Sequence, residues 1–306
     1  MLTDIWNFFT HLYLRMRWVF LVSLVVMLLV LVFDLIIVHK RKKSSGHSAL
    51  NDCTKSCLSN GRFQIEIGNC QGVGEREEQQ DAFGFSPSKY WSDKGFLAVL
   101  CDGMGGLDAG AAISNKLVTD IISEFPYSFD DLKDGWILES LSKEIYDYYY
   151  GRGGTTLIIA YVKDDQMWFA SVGDSDLLLY RNGRIYSMNE RHEYGNTLLM
   201  RATDGTLSVE QAMENKDAPA LTEFMGANHV HADYSVALWK VQDHDVYLLC
   251  SDGVSDTLTF DEIREAMSHD PVTCTELLEK SIMKKNKRYQ DNYTAIAFAV
   301  NEIGGH

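Results

Sequence analysis

The sequence lacks the short motifs of three large enzyme classes and is poor in proline. It contains no His-x-x-x-His pair, no Walker-type glycine–lysine loop and no Gly-x-Ser-x-Gly elbow. These absences argue against zinc hydrolases, nucleotide-binding kinases and serine hydrolases. Only 4 of the 306 residues are proline, and many strand-like segments follow one another. This pattern predicts hairpins and antiparallel sheets with helices packed on the outside.

Positive charge is also scarce in this chain. Lys and Arg number 28 against 43 Asp and Glu, which gives a formal net charge of −15. A nucleic-acid backbone demands a basic surface, so we expect no nucleic-acid partner. A hydrophobic content of 46% with 11% aromatic residues is typical of a globular core and excludes a disordered chain.

The N-terminal segment differs from the rest of the chain. Residues 18–38 form an apolar run of 21 residues with one charge, Asp34; as a helix it would span roughly 30 Å, the thickness of a bilayer core. The heavier basic flank, residues 39–43, follows the run, which by the positive-inside rule predicts a cytoplasmic body. A secretory signal peptide is the alternative, disfavoured by the length of the run and the lack of a cleavage site.

The chain is therefore predicted to be a single-pass protein of the cell membrane with four parts. Residues 1–17 are a short N-terminal segment, 18–38 a transmembrane helix, 39–60 a basic juxtamembrane segment and linker, and 61–306 one continuous domain. Apolar patterns predict strands over 62–68, 96–101, 155–162, 166–172, 177–181, 184–187, 246–250 and 294–300, and helices over 109–125, 132–150, 261–267 and 275–285. Asn182-Gly183 predicts a hairpin turn, and residues 189–235, polar and aperiodic, are predicted to be a mobile insertion.

The cysteines fit a reducing compartment. Cys101 and Cys250 end apolar strands, where a reduced thiol behaves as a small hydrophobic group. A zinc site at Cys53, Cys57 and Cys70 is the alternative use of cysteine here. Their spacing is unusual for zinc, so we do not favour it.

Several aspartates stand where predicted strands begin or end. Asp102 follows the strand LAVLC, Asp252 follows VYLLCS, and Asp174 follows MWFASVG, while Asp81 and Asp291 have comparable positions. If these strands lie side by side, their ends meet at one edge and the carboxylates converge.

Converging carboxylates repel one another unless a cation or a proton neutralises them. Mg²⁺ and Mn²⁺ prefer oxygen ligands, and two such ions can activate a water for attack on phosphorus. Gly103, directly after Asp102, has no Cβ and so lets its own carbonyl and a hydrated ion come close. The competing interpretation is that each Asp-Gly pair is a simple turn.

Six motifs in a fixed order make a family resemblance specific. They are Arg76…Asp81, Asp102-Gly103-Met104-Gly105-Gly106, Gly154-Thr155-Thr156, Gly173-Asp174-Ser175, Ser251-Asp252-Gly253 and Asp291-Asn292-x-Thr294. In this order they resemble the PPM family, the metal-dependent type 2C serine/threonine protein phosphatases. The match covers about residues 61–300, and Met104 resembles the bacterial branch.

The resemblance implies an α+β fold, a four-layer α-β-β-α sandwich of two antiparallel sheets, with a binuclear Mn²⁺ or Mg²⁺ centre at one edge. It assigns metal ligation to the carboxylates of Asp81, Asp102, Asp252 and Asp291 and to the backbone carbonyl of Gly103, and a third, weaker ion to Asp174 and Asp256. Arg76 matches the phosphate-binding arginine, a role suited to its planar fork of donors. Arg76 and Asp102 are thus the predicted catalytic residues.

Three positions depart from the family pattern. Met104 stands where many eukaryotic members have a histidine proposed to protonate the leaving group, so the general acid is a metal-bound water or unknown. Asp176 replaces the usual arginine after Gly-Asp-Ser, and Arg191-His192 replaces an Asp-His pair. Residues 189–235 correspond to the variable flap of the family, and His192 receives no role.

The resulting interpretation is a membrane-anchored phosphatase whose metal-bridging hydroxide attacks phosphoserine or phosphothreonine directly, without a covalent phospho-enzyme. The implied partners are phosphorylated proteins, and the membrane through residues 18–38; the catalytic domain is expected to be monomeric. Two alternatives stay open. One is a pseudophosphatase that binds phosphoproteins or senses ions without turnover, and the other is hydrolysis of a small phosphorylated molecule.

Overall fold

The computed structural model describes residues 56–57, 61–105 and 109–303. The predicted segment 1–17, the transmembrane helix 18–38 and most of the linker 39–60, including Cys53, lie outside the described residues. Within the part that is described, no helix is long and apolar enough to cross a membrane.

Antiparallel pairing joins all the strands of the described chain. In chain order they are β1 (Ser56–Cys57), β2 (Phe63–Gly72), β3 (Asp81–Phe85), β4 (Phe96–Met104), β5 (Gly154–Thr155), β6 (Leu157–Lys163), β7 (Gln166–Val172), β8 (Asp176–Arg181), β9 (Arg184–Ser187), β10 (Asp233–Tyr234), β11 (Trp239–Lys240), β12 (Asp245–Cys250) and β13 (Tyr293–Glu302). The first sheet has the order β1-β2-β13-β12-β8-β9. The second has the order β10-β7-β6-β4-β3, with β11 on β7 and β5 on β4.

Helices connect and cover these sheets. They are α1 (Trp91–Lys94), α2 (Ala109–Ser123), α3 (Phe129–Leu132), α4 (Trp136–Tyr149), α5 (Tyr194–Thr203), α6 (Val209–Met213), α7 (Asp252–Ser255), α8 (Phe260–Met267) and α9 (Pro271–Lys285). A short 3₁₀ turn, Ser88–Tyr90, precedes α1.

Three apolar layers hold the domain together, which explains why its central strands are apolar on both faces. Between the sheets, Phe298 of β13 packs against Phe96 of β4 and Tyr247 of β12, with ring centroids 5.2 and 4.9 Å apart. Helices α2 and α4 bury Leu117, Leu138 and their neighbours on the second sheet. Helices α8 and α9 do the same on the first sheet. The predicted sandwich of two antiparallel sheets flanked by helices is therefore confirmed.

The structure corrects some predicted helix boundaries. The predicted helix 132–150 is shortened to α4, which begins at Trp136, because Gly135 before it adopts φ +65°, a conformation that interrupts a helix. Helix α9 begins at Pro271, where Asp270 accepts a hydrogen bond from the Thr273 backbone N–H at 3.1 Å. Such an Asp-Pro start is a standard helix N-terminus. Residues 189–235, predicted to be irregular, contain helices α5 and α6.

Candidate active site

Four strand ends bring their aspartates to one edge of the sandwich. Asp81 begins β3 and is the register partner of Asp102 on β4. On the other sheet, β12 runs into Asp252, and Asp291 lies just before β13, which pairs with β12. A pocket of about 520 Å³ opens at this edge, and Arg76, Asp102, Gly103, Asp174, Asp252 and Asp291 are among its lining residues.

Asp81 lies buried beneath this pocket and connects the two sheets. Its Oδ2 atom accepts hydrogen bonds from Ser251 Oγ at 2.9 Å and from Thr294 Oγ1 at 2.7 Å. Ser251 Oγ in turn accepts the backbone N–H of Thr294 at 3.0 Å. The Ser-Asp-Gly and Asp-Asn-x-Thr motifs therefore contribute hydroxyl groups that fix a carboxylate of the opposite sheet, which sequence reasoning did not assign.

Asp102 is held through its main chain by the Gly154-Thr155-Thr156 motif. Its backbone N–H donates to Thr156 Oγ1 at 2.9 Å, and its carbonyl accepts from Thr155 Oγ1 and from the Thr156 N–H, both at 2.8 Å. Thr156 Oγ1 also lies 2.8 Å from Ser175 Oγ of the Gly-Asp-Ser motif. The threonines thus leave the Asp102 carboxylate free for the pocket while fixing its position.

Asn292 fixes the loop, residues 73–80, that carries Arg76. Its Nδ2 atom donates to the carbonyls of Val73 at 2.8 Å and Glu78 at 3.0 Å, and its Oδ1 accepts the Gln80 N–H at 2.8 Å. Arg76 Nη2 donates to Asp291 Oδ2 at 2.5 Å, while its side chain is 61% exposed. The guanidinium group therefore stands at the open mouth of the acidic pocket.

The two Asp-Gly pairs differ in local structure. Gly103 lies within strand β4 and Gly253 within α7. A Cβ on Gly103 would collide with the Gly110 carbonyl and lie 2.6 Å from the Gln80 oxygen, and one on Gly253 would collide with the Asn292 carbonyl. The turn interpretation is wrong for Asp102-Gly103, whereas Asp252-Gly253 lies in a turn closed by the Val254 N–H and the Ser251 carbonyl at 3.0 Å. Close backbone packing requires both glycines whether or not an ion approaches.

Burial and mutual repulsion make the aspartates of the pocket unusually basic. Burial first, with repulsion from Asp252 and Asp291, raises the pKa of Asp81 to about 7. The same two causes raise the pKa of Asp102 well above its usual range and that of Asp252 by a smaller amount. Burial likewise raises the pKa of Asp174 to about 7. At neutral pH the cluster therefore needs protons or a cation for charge balance.

The donor set fits a hard divalent cation. Asp81 Oδ1 and Asp252 Oδ1 are buried and have no hydrogen-bond partner, which is costly unless another group binds them. The lining offers carboxylate and carbonyl oxygens, the ligands of Mg²⁺ and Mn²⁺. Among the described residues no group of three His, Cys, Asp or Glu side chains is already arranged to hold an ion. Instead, Asp291 accepts a hydrogen bond from Arg76.

The residues predicted for a third ion lie in different surroundings. Asp174 lines the pocket after a turn at Gly173, whose N–H donates to His192 Nδ1 at 3.1 Å and whose carbonyl accepts the His192 N–H at 2.9 Å. His192, which had no predicted role, therefore fixes this turn. Asp256 does not line the pocket; its Oδ1 accepts from Arg191 Nη1 at 3.1 Å.

Met104 ends strand β4 and lines the pocket, pairing with Gly154. Its thioether has no proton to give, so no side chain at this position can protonate a leaving group. Leu221, from the 189–235 segment, lines the same pocket, which places the predicted flap segment beside the site.

The acidic pocket is open, has an exposed arginine at its mouth and lies at the edge of a double sheet flanked by helices. Residues 65–198 match the family model described as protein phosphatase 2C. The chain is 27% identical over 217 residues to the protein phosphatase PhpP of Streptococcus pneumoniae, covering 67% of this chain and 86% of that protein. It is 28% identical over 236 residues to the serine/threonine phosphatase stp of Listeria innocua, covering 72% and 90% respectively.

Solved structures show the same architecture. The serine/threonine phosphatase of S. agalactiae superposes with a TM-score of 0.65 at 26% identity, covering 78% of this chain and 99% of that one. The catalytic domain of PstP, in complex with 2 manganese ions, gives a TM-score of 0.63 at 20% identity, covering 78% of this chain and 99% of that one. At this identity the comparison supports a shared fold and nothing more. Together these comparisons show that the chain is similar to protein phosphatases of the 2C type and to bacterial serine/threonine phosphatases.

Proposed function

We propose that the chain is a membrane-anchored, metal-dependent phosphatase that removes phosphate from phosphoserine and phosphothreonine in proteins. The observation that carries this proposal is the edge cluster of Asp81, Asp102, Asp252 and Asp291, with two buried oxygens that have no partner. The residues present would hold two Mn²⁺ or Mg²⁺ ions through these four carboxylates and the Gly103 carbonyl. When bound, such ions lower the pKa of water and neutralise charge on a phosphoryl group.

In the proposed function, Arg76 binds the phosphate group of the substrate. Its guanidinium presents paired N–H donors that match two phosphoryl oxygens, a geometry that a lysine cannot reproduce. Asp291 accepts a hydrogen bond from Nη2 of Arg76 and so orients the guanidinium group toward the pocket. Because the side chain stands exposed at the mouth, it can meet a phosphate carried on a protein surface.

The wide mouth favours a protein substrate over a small phosphorylated molecule. A small-molecule site encloses most of its ligand, whereas this pocket leaves its phosphate-binding arginine open to solvent. The pseudophosphatase alternative gains no support, since the carboxylates, Arg76 and the hydroxyl groups that fix Asp81 are all in place.

The membrane anchor is the second part of the proposal. It is supported by the apolar run 18–38 and the basic flank 39–43, which together would place the catalytic domain in the cytoplasm. The catalytic domain is proposed to act as a monomer.

Arg76→Ala is expected to lower kcat/KM for a phosphothreonine peptide by about 100-fold, the loss of roughly 2–3 kcal/mol of charge-assisted hydrogen bonding. Arg76→Lys should recover part of this loss, because it restores the charge but not the fork of donors. The assay uses Mn²⁺ and the membrane pellet of cells that express the full-length chain, so the location of the activity tests the anchor as well.

Arg264→Ala is the matched control, since Arg264 lies on α8 and pairs only locally with Asp261 at 2.9 Å; its kcat/KM should equal that of the wild type. Full activity of Arg76→Ala would refute the role of this residue. A sugar phosphate hydrolysed as efficiently as the peptide would refute the substrate class, and activity confined to the supernatant would refute the anchor.

A further inference from the structure

Arg191 donates every N–H of its guanidinium group in hydrogen bonds to side chains beside the pocket. Nε and Nη2 donate to the two carboxylate oxygens of Asp176 at 3.0 and 2.6 Å, and Nη2 also donates to Ser255 Oγ at 2.6 Å. Nη1 donates to Glu193 Oε1 and to Asp256 Oδ1, both at 3.1 Å. A guanidinium group has five N–H donors, so none is left for solvent or substrate.

The two departures from the family pattern, at positions 176 and 191, form one ion pair in this structure. Where that pattern has arginine at 176 and aspartate at 191, this chain has Asp176 and Arg191, and the structure pairs them bidentately. The cation therefore stands at residue 191, from which it also reaches Asp256.

The guanidinium lies in a partly desolvated acidic environment. The Arg191 side chain is 25% exposed and that of Asp176 13%, whereas Asp256 is 54% exposed. Burial raises the pKa of Asp174, and the Arg191 charge counteracts this increase. The positive charge of Arg191 thus acts on both residues, Asp174 and Asp256, that the family resemblance assigns to a third ion.

We propose that the guanidinium group of Arg191 supplies a fixed positive charge beside the pocket and takes the place of a third divalent ion at Asp174 and Asp256. The chain then binds two ions rather than three. The physical reason is that a guanidinium hydrogen-bonded to Asp256 repels a divalent cation and occupies one of the two carboxylate oxygens, Oδ1. This inference rests on the metal centre of the proposed function.

The test is the number of Mn²⁺ ions bound per chain, measured by equilibrium dialysis and metal analysis of the full-length protein after chelation. Wild type and Arg191→Lys, which both keep the cation, should bind two ions. Arg191→Met removes the charge but keeps much of the side-chain length, and should bind three. Adding Asp256→Asn to Arg191→Met should return the number to two.

Equal numbers for wild type and Arg191→Met would overturn the inference, as would three ions in the wild type. Should Arg191→Met fail to fold by circular dichroism, Asp256→Asn in the wild-type background decides. We expect Asp256→Asn to bind as many Mn²⁺ ions as the wild type, and the loss of one ion in this variant would refute the inference. A wild type that binds no Mn²⁺ ion contradicts the proposed function instead of this inference. In that case, one more ion bound by Arg191→Met than by the wild type still supports the role of Arg191.

Discussion

Asp102→Asn is expected to reduce kcat for a phosphothreonine peptide by about 1,000-fold or more, equivalent to roughly 4 kcal/mol of transition-state stabilisation. The substitution keeps the size of the side chain and every hydrogen bond of the Asp102 backbone with Thr155 and Thr156. It removes one negative charge from the pocket and replaces one of the two carboxylate oxygens with an NH₂ group, which cannot bind a cation. The measurement is steady-state hydrolysis with saturating Mn²⁺.

Asp134→Asn is the control for this experiment, because Asp134 is exposed on the connection between α3 and α4 and is not among the residues that line the pocket. It should leave kcat unchanged. Asp102→Asn should also fold at least as well as the wild type without metal, since it relieves repulsion among buried carboxylates. A kcat within tenfold of wild type in Asp102→Asn would contradict the role assigned to this residue.

The second large effect expected is a loss of stability with rising pH when metal is absent. The folded-state pKa of Asp81 and of Asp174 is about 7, raised chiefly by burial, whereas an unfolded aspartate titrates near about 4. The native state therefore binds more protons than the unfolded state across this window. Its extra stability is complete below about pH 4 and is lost as the pH rises through about 7, at a cost of roughly a few kcal/mol in total.

Melting of the full-length chain in EDTA at about pH 5 and about pH 8 measures this effect, and the lower melting temperature is expected at pH 8. Mn²⁺ binds the deprotonated carboxylates, so its stabilisation should be largest at pH 8 and should reverse most of the loss. Asp102→Asn should show a flatter pH dependence in EDTA than the wild type. A metal-free wild type that melts at the same or a higher temperature at pH 8 would show that the buried carboxylates do not carry this charge.

The strands and the edge that carries the carboxylates were predictable because local patterns encode them. Gln166–Val172 and Arg184–Ser187 are strands with the predicted bounds, since their apolar residues are enclosed by turn signals. Asp102 and Asp252 could be recognised because each follows a buried strand and precedes a glycine. Once strands pair antiparallel in packed sheets, their ends necessarily meet at an edge.

The supporting contacts could not be predicted because they join residues distant in the chain. Thr156 binds Asp102, and Asn292 binds the loop of Arg76 from more than two hundred residues away. Compared with the family pattern, position 176 has lost an arginine and position 191 has lost an aspartate. Only the contact of Asp176 with Arg191 in three dimensions shows that one charge compensates the other. Helix α5 was missed since its residues show little apolar periodicity.

The central claim is that the edge carboxylates work by holding divalent ions. Its most direct test is phosphate release from a phosphothreonine peptide by the full-length chain, measured after EDTA treatment and again after Mn²⁺ is added back. We expect no hydrolysis above background in EDTA and full recovery with Mn²⁺. Undiminished hydrolysis in EDTA would contradict the claim.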